Sequence, residues 1–338
     1  IMGVALGVVL GSVMQLIVSA VGLVGLGFDY EFKLHWRNRG FRKVLSLLPA
    51  RSVDQGMDYA VSLVEVNLAS RLGDGVIRAY QQALTLHMMP INLIGVAISN
   101  AAFPQLTERL ASERPDLFRR DLRSFLRTVI WMIIPICVVT FFARGYIVHF
   151  INNNGDPVMA NILGCLVMAI LFRTVYHMVA RGFYAQQDTK TPMYVSIFAI
   201  VLNVALAVIL GYYVKLGPYG LAWAQSIVAF VEVVILCVIL GRRMPQLFDA
   251  TFVKAVAKMA LAAVPLAVAC YVSVLVIPFR ASDDSFLGAL PKFGAITIFN
   301  FIVYGALSKW LKLPEIDPVL MRIKRLLFSR FDMSKLRR

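Results

Sequence analysis

Apolar runs of membrane-spanning length recur near 1–27, 53–72, 77–102, 124–150, 158–181, 193–214, 219–241, 255–278 and 290–311. A hydrocarbon core about 30 Å thick calls for about 20 mostly apolar helical residues. The pattern therefore predicts about nine helical spans, of which 53–72 and 77–102 are the least apolar. Polar or Gly/Pro punctuation separates them at Gly73-Asp74-Gly75, at 152–157 and at Leu216-Gly217-Pro218. No window alternates apolar and polar residues as a strand does, which rejects a β-barrel. The fold class is all-α, a polytopic transmembrane helical bundle.

Composition agrees. The 338 residues are 59% hydrophobic and 16% charged, with mean hydropathy +0.74, whereas a soluble domain carries about a quarter charged residues. The 34 Lys and Arg against 19 Asp and Glu leave a net charge of +15, and the position of those cations decides what the charge means. Segment 28–51 holds Lys33, Arg37, Arg39, Arg42, Lys43 and Arg51, and segment 103–123 holds Arg109, Arg114, Arg119, Arg120 and Arg123. Lys190, then Arg242, Arg243, Lys254 and Lys258, then the tail from 309 continue the series, while the alternate loops 73–76, 151–157 and 215–218 carry at most one cation each and 279–292 only Arg280 and Lys292 beside Asp283 and Asp284. Positive charge on every second loop is the signature of cytoplasmic loops. It predicts residue 1 outside, a cytoplasmic C-terminus and no nucleic-acid partner. Aromatic and aliphatic residues interleave with the cations in 28–50 (Phe32, Trp36, Phe41, Val44) and in 104–123 (Leu106, Leu110, Leu117, Leu122). Each reads as a helix lying in the interface, with a solvated connector the equal alternative for 104–123. The four cysteines, Cys137, Cys165, Cys237 and Cys270, fall in apolar stretches without paired spacing and read as small core hydrophobes. The chain opens at Ile1 inside an apolar run, with no basic n-region and no small-residue cleavage site. It reads as the later part of a longer chain rather than as a signal peptide.

Ionisable groups inside spans are costly and face a cavity or a partner. Along 51–72, Arg51, Asp54, Asp58, Ser62 and Glu65 recur every three or four residues, which sets them on one helical face. The opposite face is Val53, Met57, Val61, Val64 and Leu68. The next span repeats the design with Arg78, Gln81, Gln82, Thr85, Asn92 and Ser99. Two consecutive amphipathic spans predict a shared water-filled cavity; helix-to-helix hydrogen bonding in a packed bundle is the alternative. Arg173 lies near the middle of 158–181 with His177 one turn on, and Glu232 lies mid-span in 219–241, where bonding to a neighbouring helix accounts for it. His35, His87, His149 and His177 are scattered, and Asp283-Asp284 reads as a solvated loop. No phosphate-binding loop, nucleophile elbow or zinc-binding His pair occurs, so the chain does not read as an enzyme and predicts neither a metal centre nor an organic cofactor.

Residues Gly182-Phe183-Tyr184-Ala185-Gln186-Gln187-Asp188-Thr189-Lys190-Thr191-Pro192 resemble a signature of the MurJ/MviN family of lipid II flippases. Ala69-Ser70-Arg71-Leu72, Pro90, Gly95-Val96-Ala97-Ile98 and Pro104-Gln105-Leu106 extend the likeness along that family's seventh and eighth helices. The resemblance implies helices six to fourteen of a two-lobed MOP-type transporter fold: 1–27 as the last span of the N-terminal lobe, 28–50 as a cytoplasmic interfacial linker, 51–241 as the C-terminal lobe, 242–311 as two final spans flanking a lipid-tail groove, and 312–338 as a basic cytoplasmic tail. It implies translocation of an undecaprenyl-diphosphate-linked peptidoglycan precursor across the bacterial inner membrane by alternating access. The expected partners are that lipid-linked oligosaccharide, membrane lipids and cell-wall synthesis enzymes. On this reading Arg78, Gln81, Gln82, Thr85, Asn92 and Arg173 line the substrate cavity.

The string Gln82-Ala83-Leu84-Thr85-Leu86 departs from the family's Tyr-Ala-Asp-Arg-Leu. Thr85 stands for the arginine, so Arg78 or Arg173 would have to supply the missing charge. Some relatives bind sodium between their seventh, eleventh and twelfth helices. Glu65 and Asn203 match two of those positions, whereas Ala207 stands where a further acid is expected, so coupling rests on a sodium ion or on the membrane potential. The alternatives are an exporter of polysaccharide units or small molecules from the same superfamily, and a non-transporting scaffold for wall synthesis.

Overall fold

Helix boundaries follow the sequence punctuation in a computed structural model, which describes residues 2–21, 41, 42, 45, 62–73, 75–150, 155–278, 286–317 and 321. The chain divides into two compact units, Ile1–Leu48 and Pro49–Arg338. The first contains α1 (Met2–Val21), whose only polar side chains are Ser12, Gln15 and Ser19. Ser19 returns its hydroxyl proton to the Gln15 carbonyl at 2.9 Å.

The second unit comprises α2 (62–70), α3 (Val76–Pro90), α4 (Ala97–Ala111), α5 (Pro115–Phe142), α6 (Arg144–His149), α7 (Pro157–Ala185), α8 (Lys190–Val208), α9 (Pro218–Arg243), α10 (Ala250–Val276) and α11 (Phe286–Trp310). Among the described residues, seven helical stretches are long and apolar enough to cross a membrane, the longest being the 36 residues Val76–Ala111. Of the remaining expected spans, 1–27 and 53–72 lie partly outside the described residues, as do Arg51, Asp54, Asp58 and most of 28–50.

The expectation for 104–123 is corrected. These residues form neither an interfacial helix nor a long connector: α4 continues to Ala111 and α5 begins at Pro115, leaving only 112–114 between them. The Leu and Phe spacing that resembled an interfacial helix serves helix-to-helix packing instead. Leu106, Phe118 and Leu122 are buried in one cluster, and Asp121 takes hydrogen bonds from Arg109 at 3.0 Å and Gln105 at 2.9 Å. The turn closes with the Arg114 amide bonding the Arg109 carbonyl at 3.0 Å and Glu113 at φ 54°, the left-handed helix stop ordinarily made with glycine.

Two spans carry π-helical stretches. Pro90 has no amide proton to give the ladder, and Ile91–Val96 follow in wider turns before α4. Gly95 sits there against α7: a Cβ on it would lie 3.0 Å from the Thr174 Cα. At Ile209–Tyr213 the chain passes so close to α9 that a Cβ on Gly220 would lie 2.6 Å from the Leu210 carbonyl. Neither glycine leaves room for a side chain.

The core is arranged about α7, which packs against α3, α4, α5 and α9. One apolar cluster joins α4, α5, α7 and α9 through Leu106, Leu122, Ile170, Phe183 and Leu236, and a second joins α2, α3, α7 and α9 through Ala69, Tyr80, Leu163 and Leu221. At the basic ends Arg123 bridges to Asp249 at 2.6 Å, and Arg127 meets the nearly buried Glu315 at 2.5 Å. The second pair ties the short 3-10 turn after α11 to α5.

Candidate functional site

The two sides of α3 meet different surroundings. Ala79, Tyr80, Ala83, Leu86 and His87 are buried, while Arg78, Gln81, Thr85 and Asn92 are exposed and Gln82 is half-buried at their edge. Positions 78, 81, 85 and 92 recur every three, four and seven residues, so they lie along one face. Among the described residues, no carboxylate lies within ion-pair distance of Arg78. Thr85 turns its hydroxyl back to the Gln81 carbonyl at 2.9 Å. Ser99, expected on the same stripe, is buried and bonds Val96 at 3.1 Å.

Arg173 is half-buried on α7, and its charge acts on both Glu65 and His87, which places it on the side of α7 turned to α2 and α3. His177 and Arg181 follow at four-residue intervals, so the three form a stripe on α7. Arg181 donates to Asn100 on α4, and its guanidinium lies 5.4 Å from the Phe103 ring centre and 5.8 Å from that of Tyr184. Sequence reasoning missed Arg181 because it sits at the end of a span, where an arginine reads as a boundary. Its spacing from Arg173 was the available signal.

Glu65 is placed in a packed interior. It is 1% exposed, and its Oε2 accepts from the Tyr80 hydroxyl at 3.0 Å and from Gln225 Nε2 at 2.7 Å. One carboxylate thereby joins α2, α3 and α9. Asn203 of α8 is buried beside it, and Glu65 Oε1 and both side-chain atoms of Asn203 have no hydrogen-bond partner. Buried polar atoms are nearly always satisfied. Glu65 Oε1 and the Asn203 side-chain oxygen are of the hard type that small cations take, and Ala207 contributes no side-chain oxygen. Among the described residues, no three His, Cys, Asp or Glu side chains cluster as a metal site. Glu232 accepts from Ser196 of α8 at 3.1 Å, and Ser196 lies 3.2 Å from the Tyr176 hydroxyl, so it is bonded to neighbouring helices.

An apolar cleft of about 680 Å³ lies between α5 and α11, lined by Trp131, Pro135, Ile298, Phe301 and Tyr304, with Lys309 at one end. The sequence placed a lipid-tail groove on 255–278 and 290–311. A further apolar cleft of about 400 Å³ lies between those two spans, lined by Ala269, Val272, Val276, Ile296 and Phe299.

The segment 182–192 is a structural joint. The Asp188 amide bonds the Phe183 carbonyl at 3.1 Å and the Gln187 amide that of Tyr184 at 3.0 Å, with Gln187 at φ 60°, which ends α7. The Asp188 carboxylate then accepts from the amides of Lys190 and Thr191, both at 3.0 Å, and caps α8. Arg243 of α9 clamps the joint, 2.5 Å from Asp188 Oδ2 and 5.3 Å above the Phe183 ring.

The second unit is thus a helical membrane bundle with two π-helical stretches and a polar exposed face on α3. The fold matches a MOP superfamily transporter from Pyrococcus furiosus with TM-score 0.54 at 12% identity, covering 81% of this chain and 65% of that one. It matches the lipid II flippase MurJ in an inward closed conformation with TM-score 0.62 at 22% identity, covering 86% of this chain and 57% of that one. The sequence profile described as lipid II flippase MurJ matches residues 1–284, and the chain belongs to that family. The probable lipid II flippase MurJ of Thermotoga maritima is 24% identical over 298 residues, 86% of this chain and 58% of that protein. The chain spans about half the length of the curated relatives it matches.

Burial alone would raise the Asp188 carboxyl, but hydrogen bonds from Thr191 and the nearby Arg243 outweigh it and hold the group below its ordinary value. A carboxylate depressed in the folded state stabilises above its unfolded pKa and loses that contribution as pH falls through the folded one. Asp188→Ala is expected to lower stability by about 1 kcal/mol at neutral pH, with a deficit that shrinks below about pH 4. Thermal unfolding across pH checks this; a deficit independent of pH would contradict it.

Proposed function

We propose that the protein moves an undecaprenyl-diphosphate-linked peptidoglycan precursor across the bacterial inner membrane by alternating access, and that α3 and α7 supply one wall of the cavity. The observation that carries this reading is the exposed polar face of α3, Arg78 to Asn92, within helices otherwise suited to lipid. A diphosphate head needs cations and donors in a wet space. Arginine suits it because its planar fork matches phosphate oxygens. Arg78 stands two turns from Thr85 on the same face and replaces the cation that the family pattern puts at 85. The apolar cleft between α5 and α11 suits an isoprenoid tail. The basic ends of α4, α5 and α9 face the cytoplasm in this account, as does the C-terminus, and the protein transports rather than catalyses. Cell-wall synthesis enzymes are the partners this role implies.

One observation favours a non-transporting scaffold instead: the Thr85 hydroxyl is spent within its own helix and offers no donor to a substrate. Complementation separates the two. In cells depleted of their flippase, the complete gene is expected to restore growth, and Arg78→Ala or Arg173→Ala to lose it while the protein still accumulates in the membrane. Normal growth with both substitutions would refute the assignment of these cations to the substrate.

Coupling to sodium is part of the proposal, with Glu65 and Asn203 as the side-chain ligands; the ion would hold α2 to α8. Saturating sodium is expected to raise the unfolding temperature of the purified protein where potassium does not, and Glu65→Gln to abolish the shift. An equal response to the two ions would leave the membrane potential as the driving force.

A further inference from the structure

Arg144 stands apart from the machinery described above. It opens α6, at the far end of α5 from the basic connectors, and α5 alone is about 42 Å long at 1.5 Å per residue. Its Nη1 donates to the Phe141 carbonyl at 2.6 Å, and its guanidinium lies 5.2 Å from the Phe141 ring centre. Gly164 of α7 makes room for its stem, since a Cβ there would come within 3.3 Å of the Arg144 Cδ. Among the described residues, no carboxylate lies within ion-pair distance of it. Asp156, which shares its surroundings, spends Oδ1 on the amides of Val158 at 2.9 Å and Met159 at 3.3 Å.

Two clefts meet at this arginine. One of about 730 Å³ runs between α5, α7 and α9 past Cys137, Met168 and Leu171 and is almost wholly apolar. The other, of about 940 Å³, opens beside His149, Gly155 and Asp156. Arg144 and the exposed Asn161 line both, and Asn161 makes no hydrogen bond to a described residue. Tyr219, Trp223 and Tyr271 also line these clefts, and Tyr and Trp collect at the depth of the lipid headgroups. An apolar channel, then one uncompensated cation, then a polar vestibule is the order of acyl chain, phosphate and headgroup in a membrane lipid.

We propose that this pair of clefts is a binding site for a singly anionic glycerophospholipid, with the phosphodiester on Arg144 and Asn161 and one acyl chain in the channel beside Trp223. A bidentate guanidinium contact matches a phosphodiester, and one arginine without an ion-pair partner among the described residues matches a lipid with one negative charge. The site lies away from the α3 face and from the cleft between α5 and α11, so it does not depend on what the protein transports.

Bromine on an acyl chain quenches a tryptophan it touches, and Trp223 is the reporter. The complete protein is reconstituted in phosphatidylcholine vesicles containing equal mole fractions of either brominated phosphatidylglycerol or brominated phosphatidylcholine. The part of the signal lost in Trp223→Phe gives the contribution of the pocket. Brominated phosphatidylglycerol is expected to quench that part with about fivefold higher relative affinity, the factor one arginine near an anionic surface contributes. Arg144→Lys is expected to retain most of the preference and Arg144→Gln to bring the two lipids to parity. Equal quenching of the Trp223 signal by both lipids in the protein with Arg144 intact would overturn the proposal. So would a preference that survives in Arg144→Gln.

Discussion

Inside a hydrocarbon slab, a polar group has either a partner or water, and the arrangement of the second unit follows from which of these each group has. Glu65 has partners: a tyrosine from α3 and a glutamine from α9 converge on one carboxylate oxygen. That convergence fixes three helices around a point where an unsatisfied charge would cost several kcal/mol. The polar groups on the outer side of α3 have no such partners and stand exposed. The same helix is thus anchored by one side and open on the other, and the boundary between packed and exposed polarity runs along its length.

The role of α7 follows. Its close approaches to α3 and α4 need Gly95 on the partner, and its stripe of Arg173, His177 and Arg181 faces the helices that carry the open wall. At its end residues 182–192, which resemble a family signature, act as a joint: they stop α7, cap α8 and receive Arg243 from α9. The string therefore marks where three helices are held together.

Much of this was legible in the sequence. Uninterrupted apolar runs are long enough to identify spans without knowledge of their neighbours, and the departures from expectation occur where a neighbour decides. Leu106, Phe118 and Leu122 show an amphipathic spacing that suits an interface and a packed helix pair equally, and only the meeting of α4 and α5 selects the second. The three- and four-residue spacing around Glu65 showed that the helix was amphipathic. Whether the face met water depended on Gln225, 160 positions away, which no local pattern reveals. Arg144 and Arg181 escaped notice because arginines at span ends are common for reasons of lipid contact, and their particular partners belong to other helices.

The central claim is that one face of α3 is wet within the membrane and the other dry. Single cysteines introduced at Arg78, Gln81, Thr85 and Asn92, and separately at Ala79, Ala83 and Leu86, in a protein with its four native cysteines replaced, test it most directly. The account predicts that a charged, membrane-impermeant thiol reagent modifies the first set in intact membranes and spares the second. Protection at every position, or equal modification on both faces, would contradict it.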